Sequence, residues 1–84
     1  MTAKAKYEVL LRRAAQKSLN NLPAKDFQMV TDAVEALRDD PRPVVHRLAD
    51  SGLWRLRVGQ YRLVCVIDDE AELVTVLAIT SSMK

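Results

Sequence analysis

Cysteine is nearly absent from this 84-residue chain. Cys65 stands alone, which excludes an internal disulfide, and its apolar neighbours mark it as a small buried hydrophobe. Long apolar runs are missing too. None approaches the roughly 20 residues a helix needs to cross a bilayer. The start, Met-Thr-Ala-Lys-Ala-Lys, has no apolar core of the kind that marks a secretory signal. These absences predict a cytoplasmic protein with no membrane partner. Histidine occurs once, as His46. With no carboxylate or second ligand near it in sequence, it gives little support to metal or acid–base chemistry and reads as a loop residue first and a substrate contact second. The acidic cluster Asp68-Asp69-Glu70 lacks the glycine and the spacing of a calcium loop and reads as a solvated turn. No cofactor and no metal are expected. Without internal repeats, low-complexity stretches or a linker, residues 1–84 are read as one domain with room for one modest core.

What is present is an uneven distribution of charge. The net charge is only +2, but Pro41 to Arg62 holds five arginines (Arg42, Arg47, Arg55, Arg57, Arg62), no lysine and a single acid, Asp50. From Leu63 onward the sign reverses, with Asp68, Asp69, Glu70 and Glu72 against Lys84. The basic patch is entirely arginine, whose planar fork grips phosphate or carboxylate bidentately where lysine offers a point charge.

The arginines fall in a pattern. In Leu53 to Ile67, Trp54, Leu56 and Val58 alternate with Arg55 and Arg57, the period of a half-buried strand. Gly59-Gln60 fits a two-residue loop with glycine first, as a type II′ turn requires. That turn sets Val58 opposite Tyr61, Arg57 opposite Arg62 and Arg55 opposite Val64. Like charges directly opposite one another destabilise a hairpin, so the cluster implies an anionic partner. A merely solvated strand face, the ordinary reading for a lone arginine, accounts less well for three that converge.

Around the hairpin, Lys6 to Leu11 reads as a strand with Tyr7, Val9 and Leu11 on one side. A helix is expected from Arg12 to Asn20 or Asn21, with a stripe of Ala14, Ala15, Leu19 and Leu22. Asn20-Asn21-Leu22-Pro23 stops it and starts another, running from Ala24 to Arg38 with Phe27, Val30, Val34 and Leu37 on one core-facing stripe. Asp26 suits its positive end and Arg38 its negative end. The stretch from Asp39 to Gly52 shows little periodicity and reads as a loop. Leu73 to Ile79 is a last strand, apolar on both faces, so its register is open. The order β-α-α-β-β-β predicts an α+β fold: a helical hairpin packed on one face of a small, mainly antiparallel four-stranded sheet, the arginines lying on the open face.

On this order, and on Tyr7-Glu-Val-Leu, Leu22-Pro23, Asp40-Pro41-Arg42-Pro43 and above all the segment Arg57-Val-Gly-Gln-Tyr-Arg62 within its hairpin, nearly the whole chain resembles the RelE/ParE toxin superfamily of bacterial and archaeal toxin–antitoxin systems, most closely the RelE branch. The resemblance implies an endoribonuclease that cuts mRNA on the ribosome and inhibits translation, working through basic residues on the open sheet face without metal. Such a reaction needs deprotonation of a 2′-hydroxyl, stabilisation of charge on the phosphate and protonation of the leaving 5′-oxygen. By the resemblance, Arg62 and Arg57 are the catalytic candidates, Arg62 clamping the scissile phosphate. Arg55 and Arg57 hold flanking phosphates or help lower a proton-transfer barrier, and Arg47 resembles a basic residue of the preceding loop, a weaker candidate for contact with the RNA backbone. The departure is at the C-terminus. Many RelE-type chains carry a His-Arg or Lys-Arg pair and then a tyrosine after the last strand, where this sequence has Ser81 and Ser82. These serines can hydrogen-bond RNA but cannot neutralise it or act as a general base.

The resemblance also implies a RelB-like antitoxin as partner, with DNA met only indirectly, through that antitoxin. Two other functions compete. A ParE-like inhibitor of DNA gyrase would use the same scaffold, since a fold does not fix a function. A catalytically weakened module would use the open face only to bind an acidic or amphipathic antitoxin segment.

Overall fold

A computed structural model describes residues 6–39, 41, 45–48 and 52–81, and these form five strands and two helices. The elements are β1 (Glu8–Leu11), α1 (Arg13–Asn20), α2 (Ala24–Ala36), β2 (Val45–Leu48), β3 (Leu53–Val58), β4 (Tyr61–Asp68) and β5 (Leu73–Ser81). The strands form a single sheet in the order β1-β5-β4-β3-β2. Three of its pairings are antiparallel and β1 runs parallel to β5. The fold is therefore α+β as expected, but the sheet is five-stranded and mixed, not four-stranded. The additional strand is β2. It is four residues long, and what makes it a strand is its ladder with β3, a pairing that leaves no period of its own in the sequence.

The helices begin and end where local chemistry allows. Pro23 precedes α2 with φ −57 and ψ 151, a conformation its ring presets, and its carbonyl accepts the Phe27 N–H at 2.8 Å. The last turn of α2 tightens, Leu37, Arg38 and Asp39 each donating to a carbonyl three residues back. This is why the regular helix stops at Ala36 and not at Arg38. The Arg38 carbonyl then accepts the N–H groups of Lys6 and Tyr7, at 3.0 and 2.8 Å, tying the entry of β1 to the end of α2.

One face of the sheet carries the core. Leu56 and Val58 of β3, Tyr61, Leu63 and Cys65 of β4, and Val74, Val76 and Ile79 of β5 are buried with Ala15 and Leu19 of α1 and Val30, Val34 and Leu37 of α2. Phe27 departs from its expected place in that stripe, being 36% exposed. It occupies the first turn of α2, and side chains on a helix lean toward its N-terminus, so the ring is carried past the area that Val30 and Val34 cover.

The register of β5 resolves the strand whose two faces are both apolar. Val64 pairs with Ala78 and Cys65 with Val76, so Leu77 is an extra residue, a β-bulge. Val74 and Val76 face the core before it and Ile79 after it. Across the bulge the alternation of faces changes phase.

Candidate nucleic-acid interface

The β3–β4 hairpin has the register expected of it. Trp54 lies across from Cys65, Arg55 from Val64, Leu56 from Leu63, Arg57 from Arg62 and Val58 from Tyr61. Gly59 takes φ 57 while Gln60, among the described residues, is not in the positive-φ region, the signature of a type II′ turn. Val58 and Tyr61 close the turn, so Arg57 and Arg62 form the next, non-hydrogen-bonded pair, with Cα atoms about 4.5 Å apart.

Two contacts hold the hairpin tip from behind. Tyr61 is buried, 6% exposed, and its hydroxyl donates to Asp26 Oδ2 at 2.6 Å. Asp26 sits in the first turn of α2, where the helix end favours negative charge. Donating to that carboxylate holds the Tyr61 proton more tightly and raises its pKa above 10.0. The turn also presses on α2. A Cβ added at Gly59 would lie 3.0 Å from Met29 Cε.

On the opposite side Arg57 and Arg62 are exposed and Arg55 is half-buried. Among the described residues none of the three has a carboxylate partner. Arg55 Nε is buried without a hydrogen-bond partner, an unmet donor of a kind that ordinarily costs stability. Asp68, the acid on the same face of β4, is six residues beyond Arg62, roughly 20 Å away along the strand. The face is thus cationic at the turn end and acidic at the other. Cys65, at the centre of the buried side, has its thiol pushed up to about 11 by burial and takes no part.

Other candidates fall elsewhere. Arg47 pairs with Trp54 and so shares the helix-side face, turned away from the three arginines. Ser81 pairs with Tyr61, also on the helix side, and Ser82 lies outside the described residues. Thr80 stands in the place expected of the serines. It pairs with Arg62, and its hydroxyl donates to the Arg62 carbonyl at 3.5 Å. The bulge at Leu77 puts it there, and a bulge leaves no mark in a uniformly apolar strand. His46 pairs with Arg55 and is exposed on the arginine face. The alternation His46, Leu48 on one side of β2 was its only signal, too short to stand out.

The arginine face is the one the helices leave uncovered. A cleft of about 500 Å³ lies on the other side of the sheet, lined by Leu11, Arg13, Gln16, Lys17 and Asn20. Among the described residues no group of three His, Cys, Asp or Glu side chains is arranged to hold a metal ion, and no helix is long and apolar enough to cross a membrane. Guanidinium groups set on one uncovered sheet face can bind successive phosphates of an extended strand.

Known proteins share this fold. The family described as the ParE toxin of the type II toxin–antitoxin system parDE matches residues 9–84. A chain of the toxin–antitoxin complex RelBE2 from Mycobacterium tuberculosis superposes with a TM-score of 0.83 at 29% identity, over 90% of this chain and 98% of that one. A chain of the archaeal RelE–RelB complex from Pyrococcus horikoshii OT3 gives 0.83 at 22% identity over 94% and 98%. A chain of the intact RelBE complex of E. coli gives 0.79 at 17% identity over 93% and 99%. The last two are similar in fold. No curated protein matches the chain significantly.

Proposed function

The chain belongs to the ParE toxin family of type II toxin–antitoxin systems, within the RelE/ParE superfamily, and from that premise we propose that it is a RelE-like endoribonuclease that cuts mRNA on the ribosome. The observation that carries this reading is the unneutralised set Arg55, Arg57 and Arg62 on one open sheet face. A phosphodiester passing through a pentacoordinate state gathers negative charge, and fixed guanidinium groups aimed at it lower the barrier. In this reading Arg62 and Arg57, on adjacent strands, grip the scissile phosphate from two sides. Arg55 holds the neighbouring phosphate. Thr80 steadies the strand under Arg62 through its contact with the Arg62 carbonyl. Cutting mRNA halts translation in the cytoplasm, where the ribosomes are. A RelB-like antitoxin would restrain the toxin by covering the same face; the Pyrococcus horikoshii and E. coli neighbours are chains of complexes with RelB.

Arg62→Ala tests the reading. The variant keeps the far-UV spectrum of the parent, since Arg62 is exposed. It loses growth arrest and cuts mRNA on programmed ribosomes at least about 100-fold more slowly. Undiminished toxicity overturns the assignment. A second reading, inhibition of DNA gyrase, is favoured by the match to the ParE family. A supercoiling assay with purified gyrase separates the two. An mRNA-cutting toxin leaves supercoiling untouched, whereas a gyrase inhibitor blocks it and leaves mRNA whole.

A further inference from the structure

We propose that His46 is the general base of the cutting reaction, an assignment that rests on the ribonuclease reading and deepens it. The arginines account for the charge on the phosphate but cannot take a proton, because a guanidinium stays protonated throughout the accessible pH range. Something on the same face has to accept the proton of the attacking 2′-hydroxyl. Among the described residues, the titratable side chains on the open face are His46 on β2, Arg55 and Arg57 on β3, Arg62 and Asp68 on β4, and Glu8 on β1. Asp68 and Glu8 are excluded by distance. From the strand spacing and rise, both lie more than roughly 15 Å from His46. Tyr61 and Cys65 point to the core side, Tyr61 is engaged with Asp26, and the Cys65 thiol is buried. Imidazole is also the side chain whose ordinary pKa suits proton transfer near neutral pH.

Position supports the role. His46 is directly across from Arg55, and Arg57 is the diagonal neighbour. Arg62 is one strand further and two residues along, roughly 12 Å between Cα atoms. Side chains approaching from those two sides meet over one nucleotide, the arginine pair on its phosphate and the imidazole on its ribose. Among the described residues, the charged groups nearest His46 on this face are Arg55 and Arg57 on the strand it pairs with and Arg62 beyond.

The step balances without a cofactor. The neutral His46 imidazole takes the 2′-hydroxyl proton as the 2′-oxygen bonds to phosphorus. The bond from phosphorus to the 5′-oxygen breaks with its electron pair, and the leaving oxygen takes a proton from water. The products are a 2′,3′-cyclic phosphate and a 5′-hydroxyl, and the imidazolium returns its proton to solvent. Nothing is oxidised or reduced.

The experiment is single-turnover cutting of a short mRNA on programmed ribosomes between pH 5.5 and 8.5, with wild type, His46→Gln and His46→Ala. The wild-type rate rises with pH through the imidazole range. His46→Gln is slower by about 10²- to 10⁴-fold and loses that rise, while its affinity for the programmed ribosome stays within about threefold of wild type. Imidazole added to the buffer restores part of the rate of His46→Ala, which a merely structural histidine would not permit. Circular dichroism shows both variants folded, as expected for an exposed edge-strand side chain. A His46→Gln rate within about threefold of wild type, with the same pH profile, overturns the assignment while leaving the ribonuclease reading intact. A wild-type protein that cuts no mRNA overturns both.

Discussion

Tyr61 and Arg62 are neighbours in the chain and face opposite sides of the sheet. One is locked to α2 through Asp26 and the other stands in the open with two more guanidinium groups. The anchor and the phosphate grip therefore share a peptide unit, so the angle of Arg62 is fixed by a hydrogen bond formed behind it. This contact also has a pH signature. The native Tyr61 proton is held more tightly than the unfolded one, whose pKa is 10.0. The contribution to stability is thus complete below pH 10 and is lost as pH rises through the raised native value. Cys65 acts in the same direction, burial raising its thiol from an ordinary value of 9.0 to about 11, so the two must be separated by mutation. Tyr61→Phe lowers Tm at pH 7 and shows a smaller further loss between pH 9.5 and 11.5 than wild type, measured as a series of thermal melts.

At the scale of elements, the hairpin and α2 are fitted to each other through Gly59. Its φ of 57 is one that a β-branched residue adopts only under strain, and a Cβ there would lie 3.0 Å from Met29 Cε, so the methionine must also give way. Gly59→Val therefore destabilises the protein by about 1–3 kcal/mol, read as a lower urea midpoint. It also slows cutting, because the tip that bears Arg57 and Arg62 must move. This hairpin was legible in the sequence for a physical reason. Its alternation is strict from Trp54 to Val58, and a glycine-led turn sets the register of everything beyond it. The helices were legible from their stripes, apart from Ala14 on α1, which is exposed, and Phe27 at an end where a stripe runs past its partner. β2 was not legible, because four residues on an edge owe their conformation to β3. With β2 hidden, His46 looked like a loop residue and Arg47 like a companion of the hairpin arginines, while the ladder puts the first on their face and the second on the other. Thr80 was hidden by the bulge, which transfers to it the neighbourhood of Arg62 that simple position along the chain had suggested for Ser81.

Across the whole molecule the sheet separates two duties. Its helix-covered side holds the buried residues, and its bare side holds the arginines at the turn end, Asp68 at the other and the half-exposed Leu10 at the β1 edge. Strands enforce this division by alternating, so adding or removing one residue within a strand ordinarily turns the remainder over and exchanges the two sides. Leu77 is different because it occupies no rung of the β4–β5 ladder. Removing it takes away the bulge and leaves Ile79 under the helices and Thr80 beside Arg62. A chain lacking Leu77 accordingly folds with a urea midpoint close to that of the parent, whereas one lacking Val64 turns over an end of β4 and fails to fold cooperatively. The extra residue is slack in the chain's length, a place where a sheet of this kind can be shortened without moving its arginines.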